Sequence, residues 1–194
     1  MNKSLLVTAL LFMASANADP VDDFQLLDQH GATHVLQWHE DAEAVVIVIQ
    51  GNGCPIIRNA WPTLRQIRED YLNEDIVFLM LNSNIQDDLA SIKRESDTFK
   101  MDISILKDQD QSVGEALGVI RTAEAFVIDP KTWEVVYRGA IDDRLTYEHQ
   151  RAEASEHYLR DVLDAMLAGK PIDVPQREAL GCLVNFPNRR NQPF

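Results

Sequence analysis

Residues 45–64 read VVIVIQGNGCPIIRNAWPTL, and this stretch decides the fold. The β-branched run Val45–Ile49 predicts a strand that is buried on both faces. Gly51–Gly53 breaks the strand, and a helix is predicted from about residue 57 to residue 72, where apolar side chains recur three and four positions apart. Pro62 lies inside this helix and is expected to kink it. The stretch is therefore a strand–turn–helix unit with Cys54 at the turn.

The rest of the chain supplies strands and helices in the order of a mixed α/β domain. Short apolar runs separated by polar turn residues predict antiparallel hairpins at residues 24–36 and 125–137. Between them we predict strands at 76–81 and 105–106 and helices at about 87–98 and 113–117, and a last helix is predicted from about 153 to 168. Parallel strands joined by helices come first, and an antiparallel hairpin with a closing helix comes last.

The first 18 residues have the pattern of a secretory signal peptide. Lys3 precedes an apolar run from Leu5 to Met13, and Ala16-Asn17-Ala18 fits the small-x-small cleavage rule. An uncleaved anchor helix is the less favoured alternative, because the apolar run is too short to span a bilayer. We therefore expect a periplasmic or secreted protein with no stable membrane span.

Length and composition fit one globular domain with extensions. We divide the chain into a signal peptide at 1–18, a domain at 19–170 and an extended tail at 171–194 that lies on the domain. The formal charge is −13, and cleavage before Asp19 would remove Lys3 and leave −14. This acidity argues against nucleic acid and anionic membrane surfaces as partners. Solubility is its simplest explanation.

Four features within residues 24–168 carry a resemblance to a known family, and a tail segment adds to it. The four features are Cys54–Arg58, Pro62, Thr122–Asp129 and Val136–Asp143, and the tail segment is Gly181–Val184. In this order they resemble the thioredoxin superfamily, and in particular its redoxin branch of thiol peroxidases and TlpA-like secreted proteins, over about residues 24–168. The resemblance implies a three-layer α/β/α sandwich with a mixed central sheet and, here, an N-terminal β-hairpin. It also implies thiol chemistry on a protein thiol or disulfide or on a small peroxide, with no cofactor.

Several positions depart from the pattern of that family. Ile57 replaces the second cysteine of Cys-x-x-Cys, and Val48 replaces the buried acid. Ala123 stands at the cis-proline position, and we expect a trans peptide bond there, because a non-proline cis bond costs about 3 kcal/mol. Ala123 and Gly51 also stand where peroxiredoxins place an arginine and a threonine or serine. Arg121 is a substitute for the arginine if a regular strand puts it on the same face as Ala123.

Cys54 is the candidate nucleophile. A helix N-terminus and the charge of Arg58 one turn later both favour the thiolate. Gly53, Pro55, Thr122 and Ala123 are the predicted substrate-contacting residues. The alternative is a degenerate site kept for its shape, because the motif lacks the neighbours that usually complete it.

Cys182 leaves three alternatives open. It does not meet Cys54, or it resolves an oxidised Cys54, or it forms a permanent disulfide with it. A staple that closes a loop of about 130 residues would contribute about 5 kcal/mol and would silence the site. We rank the unpaired state first, the resolving cysteine second and the staple third, by small margins.

The first functional hypothesis is an exported thiol oxidoreductase that acts through Cys54, with Cys182 or an external thiol resolving it. The second is a non-catalytic module that binds an envelope protein through the Gly51–Arg58 loop and the Thr122–Glu124 segment. Copper handling is a distant third, because only one motif cysteine is present and the histidines are better explained as surface residues. No metal site is predicted, and the sequence leaves open whether the protein is an enzyme.

Overall fold

The computed structural model describes residues 20–145 and 151–187. Its centre is a seven-stranded mixed sheet in the order β2-β1-β5-β4-β3-β6-β7. The strands are β1 (Gln25–Asp28), β2 (Thr33–Val35), β3 (Ala44–Ile49), β4 (Ile76–Asn82), β5 (Ile105–Lys107), β6 (Glu124–Asp129) and β7 (Glu134–Ala140). The helices are α1 (Pro55–Asp70), α2 (Leu89–Phe99), α3 (Ser112–Ala116) and α4 (Tyr158–Leu167), with a short 3-10 helix at Leu36–His39.

The three middle strands β3, β4 and β5 run parallel, and their neighbours β1 and β6 run antiparallel to them. The predicted hairpins are confirmed, since β1 pairs with β2 and β6 pairs with β7 in antiparallel register. β3 lies between β4 and β6, and all six of its side chains are buried. This position explains its unbroken β-branched sequence, because a strand covered on both faces has no polar side.

Successive residues of β3 point to opposite faces and divide the core into two clusters. Val46 and Val48 face α1, α2 and α4. Val45, Ile47 and Ile49 face a second layer formed by α3, the 3-10 helix and the tail, which contributes Val184 and Phe186. The expected three-layer arrangement with a mixed central sheet and an N-terminal hairpin is confirmed, with the tail as part of one outer layer.

The last helix differs from its prediction. It begins at Tyr158 rather than near Glu153. The carboxylate of Asp143 accepts hydrogen bonds from the backbone N–H groups of Ser155 and Glu156 at 2.8 and 3.1 Å, and this holds the preceding segment outside a helix. A tertiary contact thus sets the start of α4, and the local sequence pattern does not contain it.

The predicted signal peptide at 1–18 lies outside the described residues, as do residues 146–150 and 188–194. Within residues 20–145 and 151–187, no helix has both the length and the apolar character that a membrane crossing requires.

Candidate functional site

Cys54 sits where the chain passes from β3 into α1. It is the N-cap residue of α1, Pro55 is the first helical residue, and only 3% of the Cys54 surface is exposed. Cys54 therefore lies beyond the carboxyl end of β3, and in open α/β sheets binding and catalytic sites commonly lie outside the carboxyl ends of the parallel strands. Gly51 lets the loop approach Thr122 closely, because a Cβ at Gly51 would lie 2.8 Å from Thr122 Cγ2.

Cys182 lies against Cys54 although the two are 128 residues apart in sequence. The Cys182 thiol donates to the Cys54 sulfur with an Sγ–Sγ distance of 2.7 Å, and both cysteines are free. The first-ranked alternative, in which the two cysteines do not meet, is therefore wrong. The physical reason is that the tail docks beside Thr122, a contact that sequence spacing does not reveal. The sulfurs lie within bonding reach of each other with the tail in place.

Thr122 connects the two cysteines. Its hydroxyl lies 3.0 Å from Cys54 Sγ and accepts a hydrogen bond of 2.9 Å from the backbone N–H of Cys182. The backbone N–H of Thr122 donates in return to the Cys182 carbonyl at 2.9 Å. One side chain and one peptide group thus hold the tail cysteine at the motif cysteine.

The tail reaches this position as a short antiparallel strand. Leu183 forms a bridge with Arg121, and the Val184 N–H donates to the Ile120 carbonyl at 2.9 Å. Gly181 passes so close to Thr122 that a Cβ there would lie 1.8 Å from the Thr122 carbonyl oxygen. A glycine before Cys182 is therefore a steric requirement of this register.

The environment separates the acidities of the two thiols. Burial raises the pKa of Cys54, but hydrogen bonds from Cys182, from the Thr122 hydroxyl and from the Ile57 N–H outweigh it, and the net pKa is lowered. Burial, the hydrogen bond to Cys54 and the charge of the Cys54 thiolate raise the pKa of Cys182 to about 11. Cys54 is thus the more acidic sulfur of the pair, and Cys182 is the thiol that donates to it.

Arg58 is tied to a partner other than the sulfur. Its guanidinium donates to both carboxylate oxygens of Glu95, at 2.7 and 2.9 Å, and stacks 4.2 Å above the Phe99 ring. Glu95 also accepts a hydrogen bond from the Gly53 N–H at 3.2 Å. Arg58 and Glu95 therefore fix the Cys54 loop against α2, and the pKa of Arg58 is raised chiefly by Glu95 and also by the charge of Cys54.

Arg121 holds the tail. Its guanidinium donates to the Glu178 carboxylate at 2.9 Å and to the Gly181 carbonyl at 3.3 Å. The expectation that a regular strand aligns Arg121 with Ala123 is wrong, because β6 begins at Glu124 and Ala123 has a φ of +60°. This left-handed residue interrupts the alternation of side chains before the strand begins.

The remaining predicted site residues surround the same loop. Ala123 is buried, its N–H donates to the Ile49 carbonyl at 2.7 Å, and the peptide bond before it is trans as expected. Pro55 and Gly53 are exposed beside Cys54, and Gly53 has a φ of +78°. The structure thus brings Gly53, Pro55, Thr122, Ala123 and both cysteines together, and their roles in catalysis stay predictions.

A buried network of hydrogen bonds around Asp87 holds the loop that precedes Cys54, and the sequence patterns did not indicate it. The Asp87 carboxylate accepts hydrogen bonds from the Asn52 N–H and from the side-chain amides of Asn82 and Asn84, at 2.9 to 3.1 Å. Asn82 also donates to Gln50 at 2.6 Å. The only sequence signal for this network is the row of polar residues directly after two buried strands.

Metal ligation finds no support in the described part of the chain. Residues 20–145 and 151–187 contain no group of three or more His, Cys, Asp and Glu side chains that could hold a metal ion.

The chain is similar to solved structures along most of its length. A hypothetical protein from Sinorhizobium meliloti is 26% identical, with a TM-score of 0.77, and the match covers 88% of this chain and 94% of that one. An uncharacterized conserved protein from Geobacillus kaustophilus is 25% identical, with a TM-score of 0.74 and coverage of 88% and 92%. Peroxidoxin BcpB from Mycobacterium tuberculosis shares the fold at 18% identity and a TM-score of 0.53, with coverage of 79% and 92%.

A comparison with curated proteins finds no match. The sequence model of the AhpC/TSA family matches residues 18–143, which is more than half of the chain. This match and the thioredoxin-like fold of the neighbours confirm the resemblance to the redoxin branch. The chain therefore belongs to the AhpC/TSA family.

Proposed function

We propose that the protein is a two-cysteine thiol oxidoreductase that cycles between a Cys54/Cys182 dithiol and an intramolecular disulfide. The observation that carries the proposal is the pair of sulfurs 2.7 Å apart, with the Thr122 hydroxyl beside them. The lowered pKa of Cys54 and the raised pKa of Cys182 give the two sulfurs different roles. Cys54 is the nucleophile and Cys182 is the resolving cysteine.

With a disulfide substrate, the Cys54 thiolate attacks one substrate sulfur and expels the other as a thiolate. The Cys182 thiol then loses its proton to that thiolate, and its sulfur attacks Cys54. This step breaks the mixed disulfide and releases the second substrate sulfur, which takes up a proton from solvent. The substrate disulfide gains two electrons, and the cysteine pair loses two.

With a hydroperoxide, the Cys54 thiolate attacks the terminal oxygen, and the O–O bond breaks. The leaving alkoxide or hydroxide takes a proton and departs as alcohol or water, which leaves a sulfenic acid on Cys54. The Cys182 sulfur attacks this sulfenic acid, the Cys182 proton and the hydroxyl group leave together as water, and the same disulfide forms. Both substrate classes therefore lead to one oxidised state of the protein.

The same geometry is compatible with the non-catalytic alternative, in which the two cysteines form a permanent staple and the surface around them binds an envelope protein. Reduction and reoxidation of the folded protein in a thiol buffer distinguish the two functions. An oxidoreductase pair exchanges with a thiol buffer while the fold is intact, whereas a structural disulfide resists reduction until the protein unfolds. The exposure of Cys182 favours the exchanging pair.

Export to an oxidising compartment is part of the proposal. In such a compartment the pair would be oxidised at rest, so turnover against peroxides or disulfides requires an external reductant. The partner we propose is accordingly a protein thiol of the cell envelope.

Turnover measurements with single-cysteine variants test the function. The wild-type chain is assayed for reduction of hydrogen peroxide and of insulin disulfides with dithiothreitol as the reductant, beside Cys54→Ser, Cys182→Ser and the double variant. We expect activity in the wild type, none in Cys54→Ser, and a sulfenic acid or mixed disulfide that accumulates in Cys182→Ser. Wild-type rates equal to those of the double variant on both substrates would exclude the oxidoreductase.

A further inference from the structure

We propose that Glu95 is a positioning residue that sets the reactivity of Cys54. Its carboxylate holds Arg58 and the loop before the cysteine, and its negative charge opposes a thiolate at Cys54. This inference rests on the proposed function, because it concerns how readily the proposed nucleophile forms. Glu95 belongs to α2, and not to the strand–turn–helix unit that carries Cys54.

Two consecutive backbone N–H groups before Cys54 donate to carboxylates at α2. The Asn52 N–H donates to Asp87, which lies just before the helix, at 3.0 Å. The Gly53 N–H donates to Glu95, which lies within the helix, at 3.2 Å. Backbone N–H groups that point at a reacting atom stabilise negative charge on it. Here both N–H groups are engaged by carboxylates, so the acidic side chains at α2 hold the loop in place.

Arg58 interacts with two negative groups, and its strongest contacts go to Glu95. Its Nε and Nη2 donate to the two carboxylate oxygens at 2.7 and 2.9 Å. Arg58 also lies one helical turn after Cys54, whose carbonyl accepts its backbone N–H at 3.3 Å. Glu95 is the main cause of the raised pKa of Arg58, and the charge of Cys54 adds to it. The cation of this site is therefore shared between a fixed carboxylate and the thiolate.

The ion pair lies where solvent screens it only in part. The side chain of Glu95 is 11% exposed and that of Arg58 is 31% exposed. Charges in such a setting interact more strongly than charges on an open surface. A nearby carboxylate disfavours a second negative charge on Cys54, whereas the guanidinium of Arg58 favours it. The acidity of Cys54 therefore reflects a balance of two opposite charges.

Two further ionisable groups lie near Cys54, on the side of the tail. The Cys182 thiol donates to the Cys54 sulfur, and Arg121 donates to the Glu178 carboxylate at 2.9 Å. Neither of these contacts includes Glu95. A substitution of Glu95 should therefore leave the tail side of the site in place, and its effect on Cys54 can be attributed to α2.

A carboxylate at this position suits a cysteine that gives electrons to a substrate. Stabilising a thiolate stabilises the reduced state of a dithiol/disulfide pair and makes its disulfide more oxidising. By opposing the thiolate, Glu95 makes the reduced pair a stronger reductant. A thiol of higher pKa is also the stronger nucleophile once it is ionised. Glu95 thus limits the fraction of thiolate and raises the reducing power of each one.

The test compares Glu95→Gln with the wild type, both fully reduced. Glutamine keeps the shape of the side chain and an acceptor oxygen for the Gly53 N–H, but it removes the charge. Alkylation by iodoacetamide is followed across pH by mass spectrometry of the Cys54 peptide. We expect the midpoint to fall by about half a pH unit, a threefold rise in thiolate below the midpoint. Asp97→Asn is the matched control, because it removes a charge from α2 at an exposed carboxylate that pairs with Lys93, and its midpoint should not move.

Two further variants separate the charge of Glu95 from its shape. Glu95→Asp keeps the charge and should keep the wild-type midpoint, whereas Arg58→Met should move the midpoint to higher pH. An unshifted profile for Glu95→Gln, a shift to higher pH, or a Glu95→Asp profile equal to that of Glu95→Gln would overturn this inference alone. Failure of the proposed function has a different signature, because the wild type would then show no turnover of peroxide or disulfide, whatever its alkylation profile.

Discussion

Replacing Gly181 by alanine should separate the two cysteines while leaving both in the chain. The new Cβ would lie 1.8 Å from the Thr122 carbonyl oxygen, and real Cβ contacts are essentially never below 3.0 Å. The nearest atoms belong to the backbone of Thr122, so no flexible side chain can yield. The tail must therefore move by more than 1 Å at the residue that precedes Cys182.

The size of the effect follows from the contacts that this movement breaks. Two hydrogen bonds fix Cys182 to Thr122, one from each backbone N–H group, and both measure 2.9 Å. At about 1 kcal/mol each, their loss costs the docked tail about 2 kcal/mol. A free energy of this size corresponds to about a 30-fold fall in the equilibrium constant for disulfide formation.

The assay equilibrates Gly181→Ala and the wild type with mixtures of reduced and oxidised glutathione and measures the fraction of intramolecular disulfide by mass spectrometry. Gly31→Ala is the matched control, since Gly31 has a φ of +81°, no atom within 4 Å of a Cβ and no contact with the tail. This control should keep the wild-type equilibrium even if it lowers stability. An equilibrium constant for Gly181→Ala within twofold of the wild-type value would refute the idea that strand docking pairs the cysteines.

Three further changes test other parts of the site and the fold. Thr122→Val removes the hydroxyl beside Cys54 Sγ, so the pKa of Cys54 should rise and its alkylation by iodoacetamide should shift to higher pH. Thr132→Val is the control, and an unshifted alkylation profile for Thr122→Val would contradict the role of the hydroxyl. Phe186→Ala removes a buried side chain of the tail and should lower the free energy that holds the tail on the domain by up to about 3 kcal/mol. The loss is measured as reduced hydrogen-exchange protection of the Cys182 and Val184 amides, and unchanged protection would show that Phe186 does not hold the tail. Burial raises the pKa of Asp28, but hydrogen bonds from His34, from two backbone N–H groups and from Ser104 outweigh it and lower the pKa below 3.8. The carboxylate therefore stabilises the fold above that pH, and the stabilisation is lost as the pH falls through the lowered pKa. Asp28→Asn should flatten the acid limb of urea-unfolding stability below pH 4, and an unchanged limb would contradict this assignment.

Much of the sheet was predictable because its signals are local. The β-branched run of β3 reflects burial on both faces, and the apolar spacing of α1 reflects the single face that it buries. The start of α4 was not predictable, because it depends on the contacts of Asp143 with the backbone of Ser155 and Glu156, which lie 12 and 13 residues further along the chain. Local patterns contain no record of such a tertiary contact.

In the candidate site too, the features with a local sequence signal were predictable, and those that depend on tertiary contacts were not. Cys54 was found because Cys-Pro after a buried strand is a local pattern with a local electrostatic consequence. Its pairing with Cys182 depends on a hydrogen bond from the Thr122 peptide group. Every residue except proline has such a backbone donor, so the sequence does not indicate which segment pairs with it. The ion pair of Arg58 was not predictable for a related reason, since its partner Glu95 lies 37 residues away in the sequence. The sequence predicts that the tail lies on the domain, but it does not predict the register in which Gly181 passes against Thr122.

The most direct test of the central claim is a redox titration of the folded wild-type chain, with the Cys54–Cys182 disulfide followed by mass spectrometry in dithiothreitol and glutathione buffers. We expect one reversible two-electron transition to a monomeric intramolecular disulfide, with the far-ultraviolet circular dichroism unchanged across it. Thiols that persist under oxidising buffer, disulfide-linked dimers, or a disulfide that is reduced only after the protein unfolds would contradict it.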